Sequence, residues 1–128
     1  MVEPNADVLW NSVATVVNEK GVDTKAPKTD EEWAVVKSSA VTLVEATNLM
    51  LIDRPTAHPG DKSKKPNVEL SPEEIDKLRA SDPASWKMFV KALYDAALPP
   101  LNAVSKSDAD ELLNAGEGID KACENCHL

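Results

Sequence analysis

The chain has 128 residues, of which 42% are hydrophobic and only 4% aromatic, and its formal charge is −8. That length fits one domain, 1–128, with a single core, and the acidic balance argues against nucleic acid or an anionic membrane surface as a partner. No run approaches the roughly eighteen apolar residues of a membrane helix, so membrane insertion is not expected. The start, Met1-Val2-Glu3-Pro4-Asn5, is polar and lacks the apolar stretch of a signal peptide. The chain therefore reads as a mature form whose leader has been removed.

The pattern along the chain is helical throughout, which makes the fold class all-α. A first helix is expected from Asn5, with Asn5 as N-cap and Asp7 in the first turn. Leu9, Val13, Val16 and Val17 form its apolar side, Trp10 lies beside that stripe with core packing as the preferred reading and contact with a bound cofactor as the alternative, and Gly21 is expected to stop it. A polar linker, Val22–Lys28, follows. Thr29-Asp30-Glu31-Glu32 is a capping box for a second helix. In it Trp33, Val36, Ala40, Leu43, Thr47 and Met50 recur at spacings of 3, 4, 3, 4 and 3, a bundle seam with one polar member. Pro55 ends this run.

Arg54–Leu70 reads as a long irregular loop. It holds His58 and the cluster Lys62, Lys64 and Lys65, for which a solvated loop is the plain reading and a docking point the alternative. Ser71-Pro72-Glu73-Glu74 starts a short helix, and Asp82-Pro83 starts the next, third, helix in the same manner. The stripe Trp86, Phe89, Val90, Leu93, Ala96 and Ala97 is its buried side. Pro99-Pro100 is expected to bend it, with the pattern resuming through Leu101 and Val104. Ser107 is the expected cap of the last helix, with Asp108, Asp110 and Glu111 in the first turn. Leu112, Gly116, Ile119, Cys123 and Cys126 then step by 4, 3, 4 and 3. Gly116 and Gly118 each cost that helix roughly 1 kcal/mol relative to Ala, for either close helix packing or close approach of a flat ligand.

Both cysteines of the protein lie in the final stretch, Cys123-Glu124-Asn125-Cys126-His127-Leu128. C-x-x-C-H is the attachment run for a c-type haem. Each thiol can add to one vinyl group, and the histidine can bind the iron from one side. On a helix the three groups fall at i, i+3 and i+4, on one face. Three other uses fit less well. A redox C-x-x-C usually opens a helix after a strand, a structural zinc site needs four ligands, and a disulfide across one helical turn is awkward. The aromatic-poor core also leaves room for a flat cofactor as core material. One haem c per chain is therefore expected, held by Cys123 and Cys126, with His127 as metal ligand.

Four helical segments with C-x-x-C-H at the end of the fourth resemble the class II c-type cytochromes, the cytochrome c′ group. The resemblance covers the chain in layout, and Cys123, Cys126 and His127 match its motif. It implies an up-down-up-down four-helix bundle, here with a long loop and a short extra helix between helices two and three. It also implies export to a bacterial periplasm, and a homodimer through the first two helices. Val35, Val41 and Val44, which flank the second-helix seam, are the candidates for that contact, ordinary core being the other reading.

Such a topology sets the end of the last helix beside the end of the second and the start of the third. Met50 lies at that end, on the seam, and is the candidate for the second iron ligand. An open site against an apolar wall is the alternative, with Met88 and His58 as weaker ligand candidates. A His127/Met50 iron suits single-electron transfer to a partner protein that the sequence does not specify. An open site suits binding of small neutral gases such as NO or CO. Catalysis is not expected, since beyond His58 no histidine is available for acid–base work.

Overall fold

The computed structural model describes residues 1–127. The described residues are mostly helical, with five helices and a small two-stranded sheet among them. In chain order the elements are α1 (Val2–Ser12), β1 (Ala14–Asn18), β2 (Gly21–Lys25), α2 (Asp30–Met50), α3 (Pro72–Ser81), α4 (Pro83–Ser105) and α5 (Ala109–His127).

The hairpin corrects the all-α expectation. α1 begins at Val2, before Asn5, and Asn5 caps nothing: its Nδ2 donates to the Met1 carbonyl at 2.6 Å. Pro4 is tolerated because first-turn N–H groups have no partner within the helix. The helix ends at Ser12, whose hydroxyl donates to the Leu9 carbonyl at 2.7 Å, and Val13 is extended at φ −131°, ψ 137°. The β-branched run Thr15-Val16-Val17 then continues as a strand. Asn18 Oδ1 accepts the Lys20 N–H at 2.9 Å, closing a side-chain turn. Gly21, at φ 124°, takes a backbone conformation that L side chains rarely adopt and opens the return strand instead of stopping a helix. β1 and β2 pair antiparallel, with Val17 opposite Val22 and Thr15 opposite Thr24. Of the stretch expected as linker, Val22–Lys28, the residues Val22–Lys25 belong to β2.

The other helix starts follow the sequence closely. The Thr29 hydroxyl accepts the Glu32 N–H at 3.1 Å and Glu32 reaches back to Thr29 N–H at 3.2 Å. Ser71 and Glu74 form the same box at α3, with Pro72 in its first turn. Asp82 caps α4 through the Ser85 N–H at 3.0 Å. At α5 the cap is Asp108, which accepts from Glu111 N–H at 2.9 Å, and not Ser107. Ser107 is instead the turn residue, held at φ 54°. α4 continues as a helix across Pro99 and Pro100, and Pro100 is fully buried. Residues 51–71 carry no helix or strand.

α4 packs against both α2 and α5, and α1 packs against α2 and, more lightly, α5. α3 touches the start of α4 and buries no residue. The core is Leu9 of α1, Val36, Ala40, Leu43 and Val44 of α2, Leu93, Ala97 and Val104 of α4, and Leu112, Ile119 and Ala122 of α5. Leu43, Leu112 and Ile119 are fully buried, each worth about 2 kcal/mol of apolar burial. Thr47, the polar seam member, is buried with its hydroxyl donating to the Val44 carbonyl at 2.6 Å, so its burial leaves no unpaired donor. Val44 belongs to this core, while Val35 and Val41 are exposed, so the three valines do not form one continuous surface stripe.

Candidate functional site

The last turns of α5 carry Cys123, Cys126 and His127 at i, i+3 and i+4. Ile119 and Ala122, one turn earlier, are buried and anchor this face of the helix in the core. Cys123 is half-buried and packs against that core. Cys126 is half-buried and His127 is exposed at the helix end. The burial thus falls from Ile119 to His127 along one face, as the helix leaves the packed body.

Both thiols are free. Burial pushes the Cys123 thiol above its ordinary range, and the negative charges of Asp120 and Glu3 add to that. Burial alone does the same at Cys126. The helix C-terminus, whose dipole end is negative, is also the wrong end for a thiolate. A redox C-x-x-C needs a lowered thiol pKa and a helix N-terminus, so neither half of that pattern is present. Among the described residues, no group of three or more His, Cys, Asp or Glu side chains converges as a metal-ion site.

Glu3, in the first turn of α1, is near enough for its charge to bear on Cys123, so the start of α1 is on the same side of the fold as the end of α5. Seven residues further along α1, Trp10 Nε1 donates to the Gly116 carbonyl at 3.2 Å. α1 and α5 are therefore antiparallel. A Cβ on Gly116 would stand 3.2 Å from Trp10 Cδ1, whereas one on Gly118 would meet nothing within 4 Å. The glycine at 116 serves the approach of the indole, which is the helix-packing reading at that position; at 118 no neighbour accounts for the glycine. Trp10 is accordingly a packing residue.

Met50 is the last residue of α2 and is half-buried against the core. Its carbonyl accepts from Trp86 Nε1 at 2.8 Å, which ties the final turn of α2 to the first turns of α4. Arg79 of α3 lies over the Trp86 ring at 4.6 Å from its centroid, a cation–π contact. The same guanidinium donates to the Arg54 carbonyl at 3.1 Å, and Asp76 accepts from the Thr56 N–H and hydroxyl at 2.9 and 2.6 Å. This clamp fixes the start of the 51–71 segment. The indole–carbonyl bond had no signal in the sequence, because Trp86 and Met50 are 36 residues apart. A depression of about 720 Å³ adjoins the clamp, lined by Leu51, Arg54, Arg79, Pro83, Trp86 and Lys87 among others, and neither cysteine lines it.

Met88 is 59% exposed on α4, off the buried stripe. His58 is exposed in the 51–71 segment, where its N–H donates to Asp61 Oδ2 at 3.2 Å. Neither is brought toward the core. Lys62, Lys64 and Lys65 are all exposed on the same segment. No helix is long and apolar enough to cross a membrane among the described residues.

Comparison of the chain with protein-family models, with curated proteins and with solved structures gave no match.

Proposed function

We propose that the chain is a monohaem c-type cytochrome that carries single electrons in a bacterial periplasm, on an up-down-up-down bundle made of α1, α2, α4 and α5. The observation that carries this reading is one helix face with two free thiols a turn apart and an imidazole beside the second. The donor set suits a haem and suits little else. Two thiols at this spacing can each form a thioether, and His127 can offer its ring nitrogen to the same object. When bound, the haem supplies a one-electron iron couple.

The protein's own part is to hold and to shield. Cys123 and Cys126 would tether the group to α5, whose buried Ile119 and Ala122 keep that face in place. His127 would be the proximal ligand. Met50 is the candidate thioether ligand, and the Trp86 bond to its carbonyl holds the turn from which its side chain projects. The ring of contacts α1–α2, α2–α4, α4–α5 and α1–α5 supports a bundle, with α3 and the hairpin as additions to it.

One observation favours a second reading, a five-coordinate gas-binding protein. Met50 packs against the core as a gap-filling methionine would. The reduced absorption spectrum, recorded with and without CO, separates the two. Sharp bands indifferent to CO are expected for electron transfer, and a prompt shift indicates the gas reading. A chain that has no Soret band after expression with a haem-attachment system, or that releases its pigment to acid-acetone, would refute covalent haem altogether.

A further inference from the structure

The hairpin stands outside the packed body. Every residue of β2 is exposed, and in β1 only Ala14 is partly covered. Alternation along the strands puts Thr15, Val17, Val22 and Thr24 on one face and Ala14, Val16, Asp23 and Lys25 on the other. Val17 and Val22, directly opposite each other, are 76% and 71% exposed. An uncovered two-stranded ribbon is marginal in water. Each strand also has one neighbour only, so each presents an outer row of unpaired N–H and C=O groups.

We infer that the outer edge of β2 pairs antiparallel with the same edge of a second copy, giving a four-stranded sheet across a two-fold dimer. The charge pattern of the strand selects both the partner and the register. A two-fold axis normal to a sheet that passes through a pair of identical residues fixes every other pair. Centred on Thr24, it sets Asp23 opposite Lys25 of the second copy, and does so twice. Centred on Asp23 it opposes two aspartates, and centred on Lys25 two lysines. Centred on Val22, it leaves Asp23 facing Gly21. Among these, only the Thr24 register makes two opposite-charge cross-strand pairs within the strand. In it Thr15, Val17, Val22 and Thr24 of both copies share one face. β1 offers no comparable selection, because Ala14–Asn18 contains no charge. The seam is five residues long, so the dimer belongs to the weak, concentration-dependent class.

Sedimentation equilibrium over a concentration series, on the whole chain, tests this. Self-association is expected, and Asp23→Lys is expected to weaken it roughly tenfold by turning two attractive pairs into repulsive ones. Asp23→Lys combined with Lys25→Asp restores the opposite-charge pairs and is expected to restore the dimer. Amide exchange along Val22–Lys25 is expected to slow as concentration rises. A chain monomeric at every concentration overturns the proposal. So does a dimer indifferent to Asp23→Lys, or a double exchange no better than the single one. Both substitutions lie on exposed positions outside the core, and an unchanged far-UV circular dichroism spectrum shows that the fold is intact.

Discussion

The two glycines of α5 make a matched pair for testing how α1 is seated. Both are in the helix interior, where Ala is favoured over Gly by about 0.5–1 kcal/mol. A Cβ at position 118 would have no neighbour within 4 Å, so Gly118→Ala should collect that gain in full. At Gly116 the added carbon would stand 3.2 Å from Trp10 Cδ1 and 3.5 Å from Nε1. The indole must then retreat by a few tenths of an ångström. Its bond to the Gly116 carbonyl, 3.2 Å, lengthens with it. A hydrogen bond is worth about 1 kcal/mol net, and overpacking costs about 1–3 kcal/mol. Gly116→Ala should therefore be neutral to about 2 kcal/mol destabilising, and the two variants should differ by about 1–3 kcal/mol. Urea denaturation at constant m-value reads this gap directly. In a Trp10→Ala background the clash is gone, and Gly116→Ala should become stabilising by about 0.5–1 kcal/mol. If Gly116→Ala matches Gly118→Ala in the parent chain, the indole is not what keeps residue 116 small.

Other changes test the frame around the site. Leu43→Ala removes a fully buried seam residue and should cost about 2–5 kcal/mol in denaturant unfolding; a loss under about 1 kcal/mol would mean that α2 is not packed as described. Thr29→Ala removes one half of the α2 capping box and should cost about 1 kcal/mol, while the same change at half-buried Thr42, whose hydroxyl only bonds back to the Ser38 carbonyl within the helix, should cost less. Acid should destabilise the fold through carboxylates that the helix starts and the clamp hold below the usual range. The Lys28 N–H on Glu32, the Ser71 N–H on Glu74, the Thr56 hydroxyl on Asp76 and the Ser85 hydroxyl on Asp82 are the chief causes. A folded pKa below the unfolded one gives stability that is present above the unfolded value, about 4 for carboxylates, and is lost as pH falls through the folded value. Melting temperature should accordingly be level from about pH 7 to 5 and drop below about pH 4; a level profile down to about pH 2 would contradict this.

Helix starts are the most legible part of the chain, because a cap is a local device. Thr29 with Glu32, Ser71 with Glu74 and Asp82 before Pro83 need only their own four residues to act. The seam of α2 is legible for a related reason: its spacing is set by the helix itself. The hairpin is hidden because Val13, Val16 and Val17 also satisfy a helical spacing. The deciding signals are the density of β-branched residues and the Asn18–Gly21 turn, and they favour the strand. The cap of α5 falls on Asp108 and not Ser107 because the turn from α4 takes Ser107 into a left-handed conformation. At the site, the common face of Cys123, Cys126 and His127 can be read directly, being a property of one helix. The link from Met50 to Trp86 and on to Arg79 cannot, since it depends on three elements meeting.

That link gives a way to decide what Met50 does without relying on its side chain alone. The Trp86 indole donates to the Met50 carbonyl at 2.8 Å and carries Arg79 on its face. Trp86→Phe keeps an aromatic body between α2 and α4 but removes the donor, at a cost of about 1 kcal/mol. The last turn of α2 is then free to fray. If the Met50 sulfur is an iron ligand, loosening that turn should lower the fraction of low-spin protein and give partial CO reactivity, and Met50→Ala should give both in full. If Met50 is only core packing, the two substitutions should lower stability and leave the reduced spectrum and the CO response of the parent unchanged. Met50→Leu separates the cases further, because it preserves most of the packing volume while removing the sulfur. A Met50→Leu protein with parental stability and a parental spectrum would remove Met50 from the site and leave the open, gas-binding arrangement as the reading to pursue.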